Sequence, residues 1–108
     1  MRLNAMLERE QARLIPAEKE RIGKMLAVVA KMIGAPIPDS ETLALYIRFL
    51  SEYPQDLIDQ MGEYVIRHHK YNTFPRVADF EEPVREQLFW RKQAVKETIE
   101  TRKMYCLD

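Results

Sequence analysis

The stretch from His68 to Phe80, HHKYNTFPRVADF, decides how this chain folds. It places two histidines, three aromatic residues and one proline within thirteen positions. Such a composition is compatible with a metal site, a nucleic-acid contact or a corner that joins two helices. The residues on either side of the stretch distinguish these interpretations.

Pro75 favours the corner, because a proline disfavours helix at the residue before it and can itself begin a helical turn. We expect Phe74, Val77 and Phe80 to turn inward and hold the end of one helix against the start of the next. Tyr71 and the basic residues of the stretch would then face outward.

The histidine pair has the wrong spacing for a metal site. His68 and His69 diverge by about 100° on a helix, whereas helical metal ligands are spaced three or four residues apart. The sequence holds no other histidine and a single cysteine, so a zinc site would need carboxylates or a second chain. We therefore predict no metal and no cofactor, with His68 on the buried face of its helix and His69 solvated.

Catalytic motifs are also absent from the sequence. It contains no glycine-rich phosphate loop, no G-x-S-x-G and no H-E-x-x-H. Cys106 lies near the end with no oxyanion element close to it in sequence. Asp79, Glu81 and Glu82 precede a helix, where carboxylates are expected to favour the helix dipole. We predict a protein that is not an enzyme and has no catalytic residue.

Length and composition indicate one domain, residues 1–108. Lys and Arg equal Asp and Glu at 17 each, which excludes a strongly charged chain of the kind that binds nucleic acid in bulk. One cysteine fits a reducing compartment. The longest apolar run, Met25–Ile33, contains Lys31 and is too short to span a membrane. We predict a cytoplasmic protein with no membrane contact.

Apolar residues recur at steps of three and four through most of the chain, which predicts an all-α fold. No stretch alternates long enough to indicate a strand. After a loosely helical first segment, the predicted helices run over about 16–33, 40–53, 54–70 and 83–105. The expected architecture is a small bundle of four to five helices, with its core at 18–82 and a long C-terminal helix at 83–105.

The C-terminal helix is predicted to carry two stripes side by side. At about 100° per residue, an apolar stripe of the kind that faces a core or a partner lies beside a basic stripe. The apolar stripe consists of Val84, Leu88, Val95, Ile99 and Cys106. The basic stripe consists of Arg85, Lys92, Lys96 and Lys103.

Docking on another protein is one interpretation of this helix. Trp90 lies away from both stripes, and tryptophan and arginine are over-represented among interface anchors. Packing of Trp90 against the N-terminal segment of the same chain is the alternative. The predicted partner-binding residues are Leu88, Trp90, Arg91, Val95 and Ile99.

Nucleic-acid binding is a second interpretation. Basic side chains interleaved with an aromatic residue can contact phosphates and stack on bases. The candidate residues are Arg67, His69, Lys70, Tyr71 and Arg76 at the corner, with Arg85, Lys92, Lys96 and Lys103 on the last helix.

Residues 43–80, LALYIRFLSEYPQDLIDQMGEYVIRHHKYNTFPRVADF, resemble the N-terminal domain of bacteriophage replicative-helicase loader and inhibitor proteins. The resemblance covers about residues 18–82: an anchored helix, a Tyr-Pro break, an amphipathic helix and a loop into Phe-Pro-x-hydrophobic-Ala-Asp. The matching positions are Tyr46, Leu50, Tyr53, Pro54, Leu57, Tyr64, Phe74, Pro75, Val77, Ala78 and Asp79.

This resemblance implies a helical bundle followed by a C-terminal segment that engages a hexameric replicative helicase, with no catalytic residue. Three functions therefore stay open. The chain is a phage or prophage-type replication adaptor, a small DNA-binding module, or a structural oligomer such as a homodimer whose seam is the C-terminal helix.

Overall fold

Six α-helices form the described part of the chain, residues 2–104 of a computed structural model, and no β-strand occurs in that range. The all-α prediction is confirmed. The five-residue α5 is the helical turn expected after Pro75. The helices are α1 (Arg2–Ala12), α2 (Lys19–Ile33), α3 (Ser40–Leu50), α4 (Gln55–His68), α5 (Val77–Glu81) and α6 (Arg85–Met104).

These helices divide into two compact units. The central unit runs from Pro16 to Arg85 and contains α2 to α5. The α1/α6 unit combines the chain up to Ile15 with the chain from Glu86 onward. The predicted bundle core at 18–82 lies within the central unit. Between residues 2 and 104, no helix is both long and apolar enough to cross a membrane.

The core of the central unit is built from the apolar faces of its helices. Helix α2 packs against α3 and α4, and α5 packs against the same two helices. Burial of these faces is the main favourable contribution to folding. The fully buried side chains are Ile22, Leu26, Val29, Leu50, Leu57, Ile58, Met61, Pro75, Phe80 and Val84.

Local signals set the ends of the helices. Asp39 caps α3 by accepting a hydrogen bond from the Thr42 N–H at 2.8 Å, and this bond lowers the pKa of the Asp39 carboxyl. Gly34 ends α2 in the left-handed conformation, with φ of 72°, where a side chain would be strained. Both ends follow the sequence prediction.

Two predicted helix ends are wrong. Helix α2 begins at Lys19 rather than at Pro16, and α3 ends at Leu50 rather than at Tyr53. The Ala17 N–H donates to the Tyr53 carbonyl at 2.9 Å, in an isolated bridge beside Pro16. This pairing joins the two segments where they lie outside their helices, with Glu18 and Pro54 in extended conformations.

The corner at His68–Phe80 is held by an aromatic cluster. Phe80 is fully buried, and its ring lies 5.9 Å from that of Phe74 and 6.4 Å from that of Tyr46. The Tyr46 hydroxyl donates to the Pro75 carbonyl at 2.8 Å. Phe74 and Val77 are only half-buried, so the expectation that three side chains turn fully inward holds for Phe80 alone.

A second tyrosine anchors α5. Tyr53 is buried, and its hydroxyl donates to Glu81 Oε2 at 2.8 Å. Burial and this hydrogen bond raise the pKa of the Tyr53 phenol well above its ordinary value. The phenol therefore stays protonated, and remains a donor, across the physiological pH range.

The outer face of α4 differs from the prediction. His68 and Tyr64 are exposed and stack on one another, with ring centroids 4.2 Å apart, and His69 is half-buried. The buried face passes through Gly62 instead. A glycine carries no apolar side chain, so a hydrophobic pattern gives no signal that this position is buried.

Gly62 allows α2 and α4 to approach closely. A Cβ atom at this position would lie 2.8 Å from Met25 Cγ, which is closer than van der Waals contact. At Gly23 in α2, a Cβ would lie 3.6 Å from Ile47 Cδ1, an ordinary contact. The two helical glycines are therefore not equivalent.

Substitution of these glycines should change stability in opposite directions. Gly23→Ala should raise the free energy of unfolding by about 0.5–1 kcal/mol, because alanine favours helix and fits the space. Gly62→Ala should lower it by about 1 kcal/mol, because displacing Met25 costs more than the gain in helix propensity. Urea denaturation of both variants measures the difference, and stabilisation by Gly62→Ala would contradict the close approach.

The aromatic cluster predicts a graded loss of stability. Phe80→Ala should cost about 3–5 kcal/mol, as is typical of a fully buried phenylalanine. Phe74→Ala should cost less, about 1–2 kcal/mol, because part of its ring already contacts water. The matched control is Phe49→Ala, since Phe49 is 54% exposed; it should unfold at nearly the wild-type denaturant concentration. Equal losses for Phe80 and Phe49 would contradict this description of the corner.

Candidate protein-binding surface

Polar side chains join α1 to α6. Arg91 Nη1 donates to the Arg13 carbonyl at 3.0 Å, and Thr98 Oγ1 donates to Glu10 Oε1 at 2.6 Å. A third bond joins Arg102 Nη1 to Asn4 Oδ1 at 3.0 Å. Residue numbers on α6 rise from 91 to 102 while those of their partners, in α1 and just after it, fall from 13 to 4. The two helices therefore run antiparallel.

This polar seam corrects part of the predicted partner site. Arg91 and Leu88 are 8% and 5% exposed. Arg91 is bonded to α1, and neither residue is exposed to a partner. Thr98 is also buried, although the sequence prediction gave it no role.

The spacing of residues on α6 contained the signal for this seam. Leu88, Arg91, Val95, Thr98 and Arg102 are separated by three, four, three and four positions. Alternation of three and four is the pattern of two helices packed along their length. It was missed because three of the five residues are polar, so the apolar pattern alone did not select them.

Trp90 and its neighbour Phe89 project from α6. They are 62% and 57% exposed, and their rings lie 5.0 Å apart in an edge-to-face arrangement. This exposure contradicts the alternative in which Trp90 packs against the N-terminal segment. Phe89 was not among the predicted residues, because adjacent positions on a helix point in different directions.

A groove with a lysine rim lies in the same unit. Its apolar floor consists of Leu14, Val95 and Ile99, all half-buried, and its volume is about 450 Å³. The groove therefore joins two of the predicted partner residues to most of the basic stripe. Its charged rim consists of Lys92, Lys96, Lys103 and Glu100.

A second groove lies between α2 and α4 in the central unit, over Met25, Val28, Gly62 and Ile66. Sequence reasoning missed it, because its shape depends on the close approach at Gly62. Two of the basic side chains at its edges are paired along their own helices. Lys24 lies 3.8 Å from Glu20, and Arg67 lies 3.1 Å from Glu63.

The nucleic-acid candidates are divided between the two units. Arg85 and the corner residues belong to the central unit, and the three lysines belong to the α1/α6 unit. At the corner, Arg67 pairs with Glu63 and Arg76 lies 3.6 Å from Asp79.

The remaining corner side chains differ in exposure. Tyr71 is 72% exposed, Lys70 is exposed, and His69 Nε2 lies 2.8 Å from the Thr73 carbonyl. Intrachain partners thus reduce the positive charge that this corner offers to phosphates.

Metal ligands do not converge in the described part of the chain, where no three or more His, Cys, Asp or Glu residues could hold one ion. Cys106, assigned to the apolar stripe, and the predicted helix end near Tyr105 lie outside the described residues.

Comparison of the chain with protein-family models, curated proteins and solved structures found no match.

Arg91 and Lys92 provide a test of the seam, because they are neighbours with opposite environments. Arg91→Ala should lower the free energy of unfolding by about 1–3 kcal/mol, since it removes a charged donor and buried packing. Lys92→Ala, at an exposed position, should change it by less than about 0.5 kcal/mol. Denaturation curves compare the two, and a neutral Arg91→Ala would contradict the assignment of Arg91 to the interior.

Proposed function

We propose that this protein is a non-enzymatic adaptor that binds another protein through its α1/α6 unit. The exposed Phe89–Trp90 pair carries the proposal. Aromatic rings have a large apolar area with little conformational entropy to lose, and tryptophan is among the commonest interface anchors. Two such rings side by side on a helix are expected to be covered by a partner.

A hexameric replicative helicase is the proposed partner. This identification rests on the resemblance of residues 18–82 to helicase loaders and inhibitors of bacteriophages, in which the segment after the bundle engages the helicase. The corresponding segment here is α6. The protein would then be a cytoplasmic phage or prophage-type replication accessory protein that acts stoichiometrically, as loader or inhibitor, by occupying the helicase surface.

DNA binding is the second candidate, and the exposed Tyr71 beside Lys70 favours it. An exposed tyrosine ring next to a cation can stack on an unpaired base while the cation contacts phosphate. The paired state of Arg67 and Arg76 ranks this function below the adaptor. Self-association through the Phe89–Trp90 pair is the third candidate. It corresponds to the homodimer whose seam is the C-terminal helix.

A pull-down with purified hexameric replicative helicase tests the adaptor. Trp90→Ala should weaken the association by at least about tenfold, as expected for a buried tryptophan anchor. Tyr71→Ala is the matched control, because it removes an equally exposed ring from the other unit and should leave the association unchanged. No association at micromolar protein, or loss with Tyr71→Ala alone, would contradict the proposal.

Two further measurements separate the alternatives. DNA affinity that falls steeply with salt, as phosphate contacts do, and that depends on Tyr71 would favour the nucleic-acid function. Sedimentation of the chain alone distinguishes a monomer from a dimer, and a dimer that Trp90→Ala dissociates would assign the aromatic pair to self-association.

A further inference from the structure

We propose that the lysine-rimmed groove of the α1/α6 unit binds an acidic amphipathic helical segment of the partner protein. This inference rests on the proposed function in that it takes the unit to be protein-binding. It does not depend on which protein is bound.

The floor of the groove is apolar and incompletely covered. Leu14, Val95 and Ile99 each keep part of their surface in water, because the seam between α1 and α6 is closed by polar side chains instead. An apolar face that lies in this groove would remove the remaining surface from water, which is favourable in proportion to its area.

The rim carries an excess of positive charge. Lys92, Lys96 and Lys103 are exposed, and they make no salt bridge with any described residue. Among residues 2–104, Glu100 is the single acidic residue that lines the groove, so three positive charges there face one negative charge. The groove between α2 and α4 has a more balanced edge, because Arg21, Lys24 and Arg67 are offset by Asp59 and Glu63 in its lining, and Lys24 and Arg67 are paired with carboxylates of their own helices.

Charge and shape together select the occupant. Along α6, Lys92 and Lys96 are separated by about 6 Å, and Lys96 and Lys103 by about 10.5 Å, at 1.5 Å per residue. A helix that lies along α6 meets these lysines with carboxylates at i, i+4 and i+11 on the flank of its apolar stripe. Helix-in-groove recognition of this kind combines apolar anchors with charges at the edge. Nucleic acid would use the lysines but leave the apolar floor uncovered.

Fluorescence anisotropy with designed peptides tests the groove in the full chain. The probe is a labelled helix of about 18 residues, five turns, with a leucine stripe flanked by glutamates at i, i+4 and i+11. A second peptide keeps the leucines and replaces the glutamates with lysines. An unstructured single-stranded oligonucleotide is the third probe. We expect the acidic peptide to bind and the basic peptide not to bind.

Neutralising the rim localises the binding. The rim variant combines Lys92→Gln, Lys96→Gln and Lys103→Gln. It should bind the acidic peptide about tenfold more weakly, because each exposed charge pair contributes a factor of only about two to three to the affinity. The matched control combines Lys19→Gln, Lys31→Gln and Arg48→Gln, which remove the same charge from exposed positions of the central unit. The control should bind the peptide like the wild type.

The floor is tested separately with Val95→Ser and Ile99→Ser, after circular dichroism has established that the variant is helical. This floor variant should also bind the acidic peptide more weakly. If it does not fold, the rim variant alone tests the proposal. Equal weakening by the rim variant and its control, or tighter binding of the oligonucleotide at the same lysines, would overturn the proposal.

The outcome is separable from that of the helicase pull-down. Peptide binding that requires the rim, without capture of a helicase, supports the groove and removes the helicase as partner. Capture of the helicase through Trp90, without binding of the acidic peptide, overturns the groove and leaves the adaptor in place.

Discussion

The burial of Phe80 is the constraint on which the central unit depends. Its ring contacts those of Tyr46 and Phe74, so α3, the corner loop and α5 meet at one side chain. Two tyrosine hydroxyls stabilise this arrangement: that of Tyr46 donates to the Pro75 carbonyl, and that of Tyr53 donates to Glu81. Because Pro75 is itself buried, the turn that it makes is fixed by packing as well as by its ring.

The α1/α6 unit differs from the central unit in that polar side chains join its two helices. Its seam uses an arginine, a threonine and a second arginine where the central unit uses aliphatic side chains. The net contribution of one hydrogen bond to stability is only about 0.5–1.5 kcal/mol. Each polar residue in the seam also occupies a position where an apolar side chain could pack. Beside this seam, Phe89, Trp90 and the floor of the lysine-rimmed groove retain exposed apolar area. This exposed area is the physical basis of the proposed adaptor function.

Much of this structure was predictable because its causes are local. The helical period, the Asp39 cap and the left-handed Gly34 each depend on a few neighbouring residues, and so the class, the start of α3 and the end of α2 followed from the chain alone. The sequence also separated Val95 and Ile99 from the basic stripe beside them, and the structure brings these residues together in one groove. The predicted site failed at Leu88 and Arg91, because burial of a side chain depends on what packs against it.

By itself, then, the sequence determined an all-α chain, the position of its corner and the residue types on the last helix. Only the tertiary structure decided which faces are buried. The buried face of α4 includes Gly62 and leaves Tyr64 exposed, and the Ala17–Tyr53 hydrogen bond joins two segments that were predicted to be helical. The seam with α1 placed Arg91 inside while Trp90 remained outside. The physical reason is that helix formation depends on residues within a turn or two, whereas burial depends on segments far apart in the chain, such as Arg13 and Arg91.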